Sequence, residues 1–254
     1  MSTRAEEKAK RGLAKEIDKR IKEQAKNFGY KFRNPCAFAK RGEYFISSFC
    51  IVVSLEKAII DIDVKKLVYD DIFWDVMNMS SNKDQPLSLR AVGAFTAPAI
   101  GVCRKEIPIA SDLDLFIRDF YKTVSEESEE FLQKNPLDDY ILSNTTHPYA
   151  STLKCLVYLS RNDPASAVCE AKQAIASGDH RGGFENERKG FFDWILFRFD
   201  GQEDVSSPPV FPQTYQSVPI ENAEEKTFVN VEMKQEKMSF IEKIKALATS
   251  KKQK

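Results

Sequence analysis

Between Ala58 and Leu67 apolar and polar side chains alternate without interruption, Ile60, Ile62 and Val64 standing against Asp61, Asp63 and Lys65. A period of two sends one set to a core and the other to water, the signature of a half-exposed antiparallel strand. Such a strand needs neighbours, and the preceding residues supply them. Tyr30–Lys40 and Tyr44–Leu55 are rich in aromatic and β-branched residues, with turn-like breaks at 40–43 and 56–57, so two hairpins are expected. Tyr44–Leu55 is apolar on both faces, which suits a central strand covered on both sides. Residues 88–107 are apolar but are interrupted by Gly93, Pro98 and Gly101, with Pro108 following, which points to an irregular or edge strand.

The pattern on either side of this sheet is helical. Leu13, Ile17, Ile21, Ala25 and Phe28 draw one apolar stripe along residues 4–27, and Gly29 is placed to end that helix. A short helical turn is expected around Asp71–Met77. Beyond residue 108 the period changes for good. Ser111 begins a cap-x-x-acid pattern, and Leu115, Phe116, Phe120, Val124 and Phe131 keep helical spacing to about Lys134. Pro136, Pro148 and Pro164 stand where helices begin. They divide the remainder into a short helix, a helix pair and a final helix over Phe184–Phe199. The segment 201–220 is rich in proline and serine, as a linker is, and 221–254 regains an amphipathic pattern through Met238, Ile241, Ile244 and Ala248. The expected fold is α+β: an N-terminal helix and a mostly antiparallel four-stranded sheet over 1–110, a helical region over 111–200, then linker and tail helix.

Composition excludes several classes of function. With 42% hydrophobic and 30% charged residues the chain is ordinary for a globular protein, and its formal net charge of zero supplies no long-range attraction to polyanions. Residues 1–40 do carry twelve Lys or Arg against five acids, so Lys8, Lys15, Lys19, Lys22 and Lys26 make the first helix basic. Acids are interleaved and no aromatic platform is evident beside them, so nucleic acid is possible but not the favoured partner. Cys36, Cys50, Cys103, Cys155 and Cys169 are scattered in neither disulfide nor zinc-ligand spacing. Reduced thiols and a cytoplasmic location are expected. No stretch is apolar enough for a membrane span, and neither G-x-G-x-x-G nor a phosphate loop occurs, so no cofactor or metal is implied.

Residues 149–178 resemble a tetratricopeptide-type helical hairpin, with Cys155 at the first small position, Tyr158 as the aromatic, and Ala167, Ala171 and Ala174 along the second helix. Small side chains let two helix axes approach closely. Lys154 departs from the pattern, standing where that family has a large apolar residue, as does Asp179, where it has a helix-ending proline. The resemblance implies a protein-binding role. Separately, Asp61, Asp63 and Lys65 after a helix and two strands resemble the core of PD-(D/E)xK nucleases, in which two acids hold a divalent metal and a lysine handles the attacking water. The acid of the preceding strand is missing, with only Glu43 and Glu56 flanking it. In the loop 178–188, Gly182 and Gly183 would present backbone N–H groups to an anion near His180 and Arg181. His147 before Pro148 suits a helix cap.

The expectation drawn from these residues is a non-enzymatic protein-interaction or regulatory protein. It would be a subunit of a larger complex, such as a bacterial defence or toxin-neutralising one, docking another protein through the helical region or through Phe240, Ile241 and Ile244 of the tail. The alternative is a metal-dependent nuclease or phosphodiesterase built on Asp61, Asp63 and Lys65.

Overall fold

A computed structural model of the chain describes residues 3–92 and 95–200. The linker at 201–220, the tail at 221–254 and its Phe240, Ile241 and Ile244 lie outside the described residues. Helix α1 spans Arg4–Gln24, with Thr3 and Glu6 capping it reciprocally. A 3-10 turn over Ala25–Phe28 follows, closed by Gly29 at φ 75°, a left-handed conformation that glycine adopts without strain. The chain then runs through β1 (Lys31–Arg33), β2 (Cys36–Arg41), β3 (Tyr44–Val52) and β4 (Lys57–Lys66). Next come α2 (Leu67–Val76), α3 (Leu89–Val92) and β5 (Ile100–Pro108). All neighbours in the order β1-β2-β3-β4-β5 are antiparallel.

The sheet has five strands where four were expected. Asn34 and Pro35 break the first segment into β1 and β2, since proline has no N–H for the ladder. β5 is an edge strand, as Pro98 before it and Pro108 at its end suggest, and a register shift opposite Ile62 and Asp63 bends it. On the inner face Ala37, Ala39, Ile46, Ala58, Ile60, Ile62 and Val64 are buried against Ile17 and Ile21 of α1 and against α4 (Leu113–Lys134). Tyr121 of α4 donates a 2.8 Å hydrogen bond to the Ile21 carbonyl, tying the two helices together. Asp112, one residue beyond the expected Ser111, caps α4 by accepting from the N–H groups of Asp114 and Leu115.

The rest of the helical half comprises α5 (Leu137–Ser143), α6 (Ala150–Ser160), α7 (Pro164–Ala176), a two-residue ribbon of β6 (Glu185–Asn186) and β7 (Lys189–Gly190), and α8 (Phe191–Phe199). The last helix is seven residues shorter than its apolar run implied. Positive φ at Glu187 and Arg188 turns the chain back on itself and makes the ribbon instead. Sheet and helix residues share one core, within which Phe73 of α2 stacks on Phe191 of α8 at 5.6 Å and meets Phe184 edge-on at 4.7 Å.

Candidate functional site

The strand that opened the sequence argument also positions the site. Its outer face carries Ile59, Asp61, Asp63 and Lys65, matched on β3 by Ile51, Phe49, Ser47 and Phe45. Along this face cover changes from one end to the other. At the Lys65 end a small cluster of Cys36, Phe38 and Phe45 is roofed by Leu67, Leu87 and Ala91. Lys65 is therefore buried, only 3% exposed, contrary to the wet face its alternation implied. The physical reason is a partner in the first turn or so of the helix that follows the strand. Asp70 of α2 is fully buried, accepts from Lys65 Nζ at 2.8 Å, and also accepts from the Ala97 N–H at 2.9 Å. Lys65 Nζ donates again to the Ala97 carbonyl at 3.2 Å. Burial pulls its ammonium below the usual lysine range, and the neighbouring Asp70 opposes that pull.

Arg90 completes the network. It donates to the Leu67 carbonyl at 2.9 Å and to Asp71 Oδ1 at 2.6 Å, and its guanidinium lies 4.6 Å from the Trp74 ring centroid. Beside these groups opens a cleft of about 270 Å³ whose walls include Ser47, Phe49, Asp63, Lys65, Arg90 and Thr96. Asp63 is the odd member. Lys65 and Arg90 are answered by Asp70 and Asp71, which leaves one surplus negative charge, and among the described residues Asp63 has no hydrogen-bond or ion-pair partner. Burial, then the nearby Asp61, raise its carboxyl to about 6. Gly101 stands opposite and leaves the space above it open, since even a methyl there would only touch Asp63 Oδ1 at 3.7 Å.

The sign of that shift gives a test. A carboxyl whose folded pKa lies above its unfolded value contributes most below the unfolded value, and the contribution is lost as pH rises through about 6. Asp63→Asn removes the charged form. The expected result is a melting temperature above wild type at pH 8, with the gain shrinking to nothing at about pH 4; thermal melts at the two pH values check it.

Comparison with known protein families, characterised proteins and solved structures finds no match to this chain. Function rests on the geometry alone. Asp61, Asp63 and Lys65 do share one face, yet Asp61 is bound to Arg104 at 2.7 Å and Lys65 is consumed by Asp70, so the three do not converge on one point. Among the described residues no three His, Cys, Asp or Glu side chains are grouped to hold a metal ion.

His180 and Arg181 occupy an exposed loop, His180 paired with Asp193 at 3.0 Å and Arg181 with Glu185 at 3.1 Å. The N–H groups of Arg181 and Gly182 are taken by Asp179 Oδ1, at 3.0 and 2.9 Å, which is a turn satisfying itself. His147 Nδ1 accepts from the Tyr149 N–H at 3.1 Å, a capping role. In the α6–α7 hairpin Cys155, Ala167 and Ala171 are fully buried where the helices meet, and Lys154 lies 4.0 Å from Glu170 across the pair. Of the cysteines, Cys36 and Cys155 are buried, Cys50 and Cys103 half-buried and Cys169 exposed, and all are free thiols.

Sequence reasoning missed the other end of the outer face. Ile51, near the end of β3, and Val53 and Leu55, in the turn between β3 and β4, are 42%, 38% and 47% exposed, close to half-buried Ile59 and Phe49. Single exposed apolar residues are ordinary, but three together at one end of a hairpin mark a contact surface. A signal existed: Tyr44–Leu55 is apolar on both faces, and the described residues cover only part of the second one.

Proposed function

We propose that this chain is a non-enzymatic interaction or regulatory protein, a subunit of a larger complex, that docks a partner protein on the end of the β3–β4 hairpin that the other described residues leave exposed. The observation that carries the reading is the exposed apolar group of Ile51, at the end of β3, with Val53 and Leu55 in the following turn, on the same strand pair as the unpaired, half-buried carboxylate of Asp63. The fitting partner presents apolar side chains to Ile51 and Ile59 and a Lys or Arg to Asp63, about 13 Å further along the strand at roughly 3.3 Å per residue. The apolar faces of α6 and α7 are spent on the core, and Phe197, the most exposed aromatic of the helical half, carries the Lys189 ammonium 4.2 Å from its ring centroid. Free thiols throughout the described residues favour a reducing compartment such as the cytoplasm.

The full chain carrying both Ile51→Asp and Leu55→Asp is expected to bind its partner, taken from the cells that make it, at least about tenfold more weakly while melting as wild type does. Undiminished binding contradicts the reading. Hydrolytic chemistry would need Lys65 free and Asp61 released from Arg104. A melting temperature raised by Mn²⁺ in wild type, but not in Asp63→Ala, would support that alternative over docking.

A further inference from the structure

A second surface, away from the outer sheet face, has a different chemistry. Lys15, Lys19 and Lys22 follow one face of α1 and, with Arg33 at the end of β1, line a groove of about 380 Å³. Lys15, Lys22 and Arg33 have no ion-pair partner among the described residues, and Lys19 has only a loose 3.9 Å approach to exposed Glu23. The one acid in the groove is Asp18, whose carboxyl is raised by burial. Phe32 forms part of the wall, half-buried and anchored on the main core. The aromatic surface that the sequence did not reveal is thus placed beside the lysines by the turn from α1 into the sheet.

Four cations against one acid is a local concentration of charge in a chain whose net charge is zero. The lysines span about 10 Å at 1.5 Å per residue, enough to meet successive phosphates. A cationic track beside a flat aromatic ring is the chemistry that holds single-stranded nucleic acid: lysines follow the backbone while a base stacks on the ring. We propose that this groove binds single-stranded nucleic acid through Lys15, Lys19, Lys22 and Arg33, with a base stacked on Phe32.

The test measures fluorescence anisotropy of a labelled oligonucleotide about 15 nucleotides long against the full chain over a range of salt concentrations. Four phosphate contacts give a slope of log affinity against log salt near about −3, and the double variant Lys15→Glu, Lys22→Glu reduces it toward about −1 and weakens binding at least about tenfold. Phe32→Leu keeps apolar bulk but removes the π face, and is expected to weaken single-strand binding about tenfold. Duplex of the same sequence binds more weakly than the single strand, and inorganic phosphate competes only through ionic strength. The proposal is overturned if the oligonucleotide does not bind at low salt, or if the double lysine variant binds it as wild type does. It is equally overturned if Phe32→Leu has no effect or if duplex or free phosphate competes as well as the single strand.

Discussion

Asp70→Ala is expected to lower the unfolding free energy by about 3–5 kcal/mol, the largest effect of any single side chain on the outer face. The substitution removes the acceptor for Lys65 Nζ and for the Ala97 N–H, and strands an ammonium that is 3% exposed. The loss is chiefly the cost of an unanswered buried charge. Lys65→Met combined with Asp70→Leu removes both charges and should recover most of it. The sign with pH follows from the same burial. With its folded pKa below its unfolded value, Lys65 binds fewer protons folded than unfolded, so Asp70→Ala should regain stability as pH rises through the range in which Lys65 deprotonates. Urea denaturation at two pH values measures both quantities. A loss under about 1 kcal/mol would mean that the pair is replaced by water.

Gly190→Ala should cost about 2–3 kcal/mol for a different reason. Gly190 has φ −73°, which alanine adopts freely, so no backbone strain is involved. A Cβ there would lie 2.0 Å from the His180 carbonyl oxygen, 2.6 Å from its carbon and 2.8 Å from Arg181 Cα, and backbone cannot swing aside as a side chain can. The 178–184 loop must move, breaking the bonds from the Phe191 and Phe192 N–H groups to the Arg181 and His180 carbonyls. Gly178→Ala is the control. Its φ is 91° but nothing lies within 4 Å of the added methyl, so only conformational strain of about 1 kcal/mol is expected. Equal losses at the two positions would contradict the packing described for this loop.

Much of the architecture was legible because it depends on local periodicity. The apolar stripe of α1, its end at Gly29, the two hairpins and the prolines at helix starts are each written in a few neighbouring residues. What was hidden depends on residues far apart. Lys65 looked solvent-facing because its alternation with Val64 is intact. Only α2 folding straight back and the segment through Ala97 bury it against Asp70, thirty-odd residues of chain meeting at one ammonium. Likewise the row at Ile51 belonged to a strand that looked covered on both sides, and Phe32 meets the α1 lysines only through tertiary packing. For Asp61, Asp63 and Lys65, period two put three residues on one face, and what the local pattern could not show is that Arg104 and Asp70 pair with two of them.

The docking face is the central claim, and site-specific photo-crosslinking tests it most directly. A photoreactive phenylalanine placed at Ile51 or Leu55, in the cells that make the protein, is expected to yield one discrete adduct that fades when Asp63→Asn is added. The same group at exposed Lys8 should yield none. Adducts at Lys8 as strong as those at Ile51, or an Ile51 adduct indifferent to Asp63→Asn, would contradict the account.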